Sequence, residues 1–251
     1  MTSPPLVPYP KEPRQLAQPE HLEHRRQLLQ APHHAPLSEY VQDLRKQIHE
    51  QGLNIPDLDP VGGGIHARIL YLLEAPGPKA SQHLGGSGFV SMDNNDLTAQ
   101  TVFTLTQQAG VNRDWLMSWN IVPWYVGNGN SIRPVQPSEI VQGRGHLHAL
   151  LALLPDLRVV VTFGRPAAVG WSGLAAEFPA LTTLSTWHAS GLALNGHPER
   201  RAHLLSTLEL AQQLAQHAFD ARGPRWLRSL PKSPTLQGAT PLSFNGPTSS
   251  F

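Results

Sequence analysis

Four short apolar runs, set in alternation with stretches of helical spacing, constrain this chain more than any other feature. They read ARILYLLEA (67–75), DWLMSWNIVPW (114–124), LRVVVTFG (157–164) and LTTLSTWH (181–188). Runs that are apolar at nearly every position, rather than at every second one, suit strands covered on both faces. Around them, apolar residues recur three and four positions apart over 38–51, 96–109, 137–154, 165–176 and 198–217, the spacing of helices. Ser138 is expected to cap one of these helices and Pro198 to open another. Strand and helix in regular succession predict an α/β fold around a parallel sheet of about four strands.

With 251 residues and 40% apolar content, the chain can bury one substantial core. The expected organisation is a flexible N-terminal extension over 1–36, a folded domain over 37–220 and a disordered tail over 221–251. Pro, Ser and Gly enrich the tail, which carries Arg222, Arg225, Arg228 and Lys232 without an acid. The whole chain's net charge of +1 makes no electrostatic case for nucleic acid by itself; the preceding 220 residues hold 15 basic and 18 acidic side chains, so the body is slightly acidic and the tail basic. There is no cysteine, which excludes disulfides, thiolate metal sites and cysteine nucleophiles. The opening residues lack the apolar centre of a signal peptide, and no apolar run approaches the ~20 residues of a membrane span. A soluble, cytoplasmic protein is expected.

The stretch YLLEAPGPKA (71–80) ends an apolar strand on Glu74 and turns at once through Pro76, Gly77 and Pro78. In open parallel sheets, sites form beyond the carboxyl ends of the strands. Glu74, Asn120, Gly164 and His188 all fall at such ends, so three polar side chains and one backbone turn converge on one edge. Small and rigid residues after Glu74 let backbone approach a ligand closely. The Asn120 amide offers a paired donor and acceptor to a planar base. His188 is followed by ASGLALNG (189–196), a small-residue loop suited to contact a polymer.

Other chemistries find less support. The chain has thirteen histidines, some close in sequence, yet none is joined to a carboxylate in the pattern of a catalytic zinc site. GGSG (85–88) lacks the Lys-Ser/Thr of a phosphate-binding loop. No GxGxxG follows a strand and no GxSxG occurs.

The segment from 66 to 217 resembles the uracil-DNA glycosylase superfamily, nearest the branch often called family 4. LEAPGP resembles that branch's Gly-Glu-Ala-Pro-Gly motif. GSGFVSMDNNDLTAQTVFTLTQQAGVNRDWLMSWNIVPW resembles its Phe-containing loop, helix and Asn-ending strand. PDLRVVVTFGRPAA resembles the third strand and turn, and WHASGLALNGHPERRAHL the second catalytic motif, usually His-Pro-Ser or His-Pro-Ala. The chain departs from the pattern at Leu73, in place of the leading Gly, and at Ala189, in place of the Pro. It also lacks the four cysteines that bind an iron–sulfur cluster in that branch, so the resemblance is to a cluster-free relative without a cofactor.

The resemblance implies a three-layer sandwich with a central, mainly parallel four-stranded sheet flanked by helices, acting as a monomer on DNA that contains uracil or another damaged base. It implies hydrolysis of the N-glycosidic bond of uracil in a nucleotide swung out of the helix, the first step of base excision repair. Phe89 would stack on the base, and the backbone of Ala75 and Gly77 would border it. Asn120 would accept from uracil N3–H and donate to O4. His188 would donate to O2 as charge gathers there, and Glu74 would position water or stabilise the sugar cation. Ser190 and Gly191 would hold DNA phosphate, with Leu192 as a wedge. Gly77 takes the place where some branches carry a Tyr that excludes thymine, so looser exclusion of 5-substituted pyrimidines is expected unless Trp124 or Tyr125 fills the gap. The alternatives are a glycosylase for hypoxanthine, xanthine or an oxidised pyrimidine, and a non-catalytic DNA-binding member of the same fold.

Overall fold

The computed structural model describes residues 9–48, 52–129 and 132–216. Its main sheet has four parallel strands in the order β4-β2-β5-β6: β2 (Ile69–Leu73), β4 (Leu116–Asn120), β5 (Val159–Phe163) and β6 (Thr182–Thr186). Each lies inside one of the four apolar runs. A second, two-stranded parallel sheet pairs β1 (Asp57–Leu58) with β3 (Phe89–Val90). Two-residue strands are too short to leave a periodicity in the sequence.

Alternation along the strands builds three layers. Leu70 and Leu72 of β2 and Val160 of β5 enter one apolar cluster with α2 (Ala35–Gln47), α4 (Pro137–Leu151) and α5 (Arg165–Ser172). Ile69, Tyr71, Val159 and Val161 enter the opposite cluster with α3 (Leu97–Gln108) and α7 (Pro198–Gln216). Successive side chains of a strand point to opposite faces, so runs apolar at every position require helices on both sides; the edge strand β6 departs from that expectation, its Thr182, Thr183 and Ser185 being exposed. Each buried Leu, Ile or Val contributes roughly 1.5–3 kcal/mol relative to exposure.

Two expectations are corrected. Residues 9–36 are not a flexible extension. They contain α1 (Pro19–Leu28) and lie against the domain. Arg25 is 1% exposed; its Nη2 donates to Asp93 Oδ2 at 2.6 Å and its Nε lies 2.8 Å from Asp59 Oδ1. Arg113 donates to both oxygens of Asp93, at 3.0 and 2.8 Å. The Leu16 N–H donates to the Asp93 carbonyl and the Tyr9 hydroxyl to Asp114. The polar composition that reads as an extension is thus spent on buried pairing with distant residues. The second correction concerns α4, which is capped by Gln136 and opens on Pro137, placing Ser138 inside the helix. Proline has no N–H to leave unsatisfied and its fixed φ suits the first helical position. The tail expected over 221–251 lies outside the described residues.

Candidate active site

The strand order places β2 at the centre, with the chain leaving it for β4 on one side and leaving β5 for β6 on the other. Connections that diverge in this way open a crevice at the carboxyl edge. Register aligns the strand ends, with Leu73 opposite Asn120 and Phe163 opposite Thr186. The alignment continues beyond the strands, where Val122 N–H donates to the Glu74 carbonyl and Gly164 N–H to that of Thr186. Here lies a cavity of about 420 Å³ whose wall includes Glu74, Ala75, Gly77, Asn120 and His188. Five of the residues singled out in the sequence therefore meet in one place.

Asn120 is 3% exposed, and its Oδ1 is buried without a hydrogen-bond partner among the described residues. An unpaired buried acceptor costs roughly 1–3 kcal/mol, which a ligand N–H entering the cavity recovers. Ser118 lies two residues earlier in β4 and lines the same cavity. That period-two relationship was available in the sequence, though Ser118 was not drawn from it.

His188 follows β6, and its Nδ1 accepts from the Ser190 N–H at 3.2 Å. Burial lowers the pKa of the imidazole, while the charge of Glu74 acts in the opposite direction. In the neutral ring an accepting Nδ1 leaves the proton on Nε2, so this nitrogen is a donor. Gly164 lets His188 approach the turn closely: at φ 82 it takes a left-handed conformation, and a Cβ there would stand 3.2 Å from the His188 Cβ.

Gly77 faces open space, with nothing within 4 Å of a Cβ built upon it. Neither Trp124 nor Tyr125 fills that gap. Trp124 is buried, its Nε1 donating to Glu139 Oε1 at 3.3 Å, and the Tyr125 hydroxyl accepts from Gly129 N–H at 3.3 Å. Phe89 does not line the cavity. It is 2% exposed in β3, while Val90, Ser91 and Met92 form the wall at that point. Adjacent strand residues face opposite ways, so with Val90 on the cavity Phe89 turns inward.

Ser190, Gly191 and Leu192 stand beside the cavity rather than in its wall. Ser190 precedes the short helix α6 (Gly191–Leu194), which carries Leu192 at 97% exposure. Lys79 and Asp96 do line the cavity, and sequence reasoning missed both. Asp96 caps α3, its side chain accepting from Ala99 N–H at 2.8 Å. Burial raises the pKa of its carboxyl, and hydrogen bonds from the Ala99 and Thr98 backbone and the charges of Arg14 and Lys79 work against that rise.

A model of the uracil DNA glycosylase superfamily matches residues 60–212. The chain belongs to that superfamily. Among solved structures, the solution NMR structure of a candidate uracil DNA glycosylase from Methanosarcina acetivorans matches at 14% identity and a TM-score of 0.38, over 58% of this chain and 91% of that one. No curated protein matches. The iron–sulfur cluster of the cysteine-bearing branch does not fit these residues, because the chain has no cysteine, and the described residues offer no group of three or more metal-ligating side chains. Within the segment after Asn120, Glu139 gathers polar contacts. Arg133 donates to both oxygens of Glu139 at 2.8 and 2.7 Å, and Gln136 N–H donates to Glu139 Oε2 at 2.7 Å. The Arg133 pairing, foremost, brings the Glu139 pKa down to about 2. No described helix is long and apolar enough to cross a membrane.

Proposed function

We propose that the chain hydrolyses the N-glycosidic bond of uracil in DNA and leaves an abasic site. The observation that carries this reading is the buried, unpartnered Oδ1 of Asn120 in the same cavity wall as Glu74 and His188. An extruded uracil offers N3–H to that oxygen and O4 to the amide nitrogen. Cytosine presents the reverse pattern at these two atoms and would leave polar groups unpaired at roughly 1–3 kcal/mol each.

Cleavage sends the bonding electrons of N1–C1′ to the base and leaves positive charge on the sugar until water adds at C1′. His188 Nε2–H answers the first change by donating to O2, where the negative charge gathers. A preorganised donor of this kind is worth ~3–4 kcal/mol of barrier. Glu74 serves the sugar side by holding the attacking water or balancing the cation. The Ala75 and Gly77 backbone borders the base, Ser190 and Gly191 meet the phosphate chain, and the exposed Leu192 fills the space left by the extruded nucleotide.

The test is incubation with a labelled oligonucleotide carrying one uracil, single-stranded and as U·G duplex, in EDTA, followed by alkaline cleavage at abasic sites. Breaks with wild type and about 100-fold fewer with His188→Ala support the reading. Absence of breaks at stoichiometric protein overturns it.

A further inference from the structure

A second cavity, of about 280 Å³, adjoins the first. Leu16, Ala17, Gln18, Pro19 and Leu22 of the N-terminal segment form one side of it, and Lys79, the loop 85–87, Asn94 and Asn95 form the other. Lys79 and Asn94 belong to the walls of both cavities. The volume is near the lower end of small-molecule sites, which run from roughly 300 to 1,000 Å³.

Both sides of this cavity are fixed. Leu16 N–H donates to the Asp93 carbonyl, and the buried Arg25 pairs with the Asp93 carboxylate. Arg14, which leads into the segment, is the only non-glycine among the described residues with positive φ (66°). A left-handed arginine costs about 1–2 kcal/mol, so the surrounding contacts hold it there. On the opposite side, Asn94 is 4% exposed, its Oδ1 accepting from Ser87 Oγ at 2.6 Å and its Nδ2 donating to the Phe89 carbonyl at 2.9 Å. The GGSG loop is not an anion cradle. The N–H groups of Gly85, Gly86 and Ser87 donate to the carbonyls of Gln82, Ser81 and Lys79. Lys79 is the cationic side chain in the walls of both cavities, and it stands where they meet.

We propose that the second cavity is a subsite for the nucleotide next to the extruded one on the same strand, with Lys79 bound to the phosphate that joins them. The Pro19 and Leu22 side chains offer apolar surface to the neighbouring base, and the Gln18 and Asn95 amides offer hydrogen bonds to its edge. This subsite rests on the glycosylase reading for the identity of its ligand, and its test reads binding instead of excision.

The full chain is titrated by fluorescence anisotropy with a labelled single-stranded 11-mer centred on 2′-fluoro-2′-deoxyuridine, whose glycosidic bond resists cleavage because the fluorine disfavours a sugar cation, and with two versions in which the base immediately 5′ or 3′ of that uracil is removed. Removal on one side is expected to weaken binding about tenfold, the size of one modest contact. Ala17→Trp, at an exposed position on the far side, fills the cavity and should lose the same factor on the intact strand, with no further loss on the strand lacking that base. Asn95→Trp does so from the opposite side, so neither result hangs on one variant. Lys79→Gln should flatten the plot of log affinity against log salt by about 0.7. Wild-type affinity in both tryptophan variants overturns the subsite, as does equal binding of all three strands. Uracil excision without these effects leaves the glycosylase reading standing and removes the subsite. The effects without excision do the reverse.

Discussion

The turn after β5 leaves little space beside His188 after β6: a Cβ on Gly164 would stand 3.2 Å from the Cβ of His188. The chain at Gly164 has φ 82, a conformation that L side chains rarely adopt. Gly164→Ala therefore acts twice, straining the turn by about 1–2 kcal/mol and pressing on the residue proposed to donate to the departing base. Uracil excision in single-turnover kinetics should fall about 10- to 100-fold, since small displacements of a positioned group are costly. A thermal melt recorded alongside separates the two effects. A lowered melting temperature with wild-type kinetics would mean that His188 does not depend on this turn.

Gly77 makes the opposite case, because its φ of −80 suits any residue and a Cβ there meets nothing within 4 Å. Gly77→Tyr should be accommodated and should narrow the cavity where a 5-substituent would sit. Wild type is expected to release both uracil and 5-hydroxymethyluracil, and the variant to raise the preference for uracil by about tenfold or more. Complete refusal of 5-hydroxymethyluracil by wild type would show that another side chain already guards this position.

The convergence of Glu74, Asn120 and His188 was legible in the sequence because it needs only the strand ends and the rule that sites form at the carboxyl edge. The alternation that sorts Ile69 and Tyr71 from Leu70 and Leu72 is likewise written in the runs themselves. What escaped depends on partners far along the chain. Arg25 looks like a solvated helix charge until it meets Asp93, 68 residues away. Phe89 falls at the motif position of a stacking residue, yet a two-residue pairing of β3 with β1 turns it inward and gives Val90 to the cavity. Lys79 gave no local signal, since a lysine in a turn is ordinarily solvated; only the approach of residues 16–22 gives it a second neighbouring cavity.

The Arg25–Asp93 pair should matter to stability in proportion to its burial. Asp93 is fully buried and accepts from both Arg25 and Arg113. Arg25→Met removes one partner, keeps most of the side-chain volume and leaves Asp93 and Asp59 undercompensated. Breaking a buried pair from one side typically costs about 3–5 kcal/mol. Urea denaturation followed by tryptophan fluorescence should show a loss of that order, with the midpoint moving to lower urea. A change below about 1 kcal/mol would show that the pair, though buried, contributes no more than an exposed bridge does.

His34 gives the fold a pH dependence of definite sign. It is 1% exposed, neither ring nitrogen has a hydrogen-bond partner among the described residues, and burial, followed by the charge of His33, lowers its pKa from 6.5 to about 3. Between those values the unfolded chain takes up a proton that the native chain refuses, so stability declines as pH falls from about 6.5 toward 3, by at most about 1.4 kcal/mol per unit. His188 acts in the same direction, its pKa lowered chiefly by burial, so the wild-type slope has several contributors. His34→Leu isolates one of them: its loss of unfolding free energy between pH 7 and 5 should be smaller than that of wild type by about 2 kcal/mol. Equal losses in the two proteins would mean that His34 accepts its proton without leaving the native state, and that the pocket around it yields rather than excluding the charge.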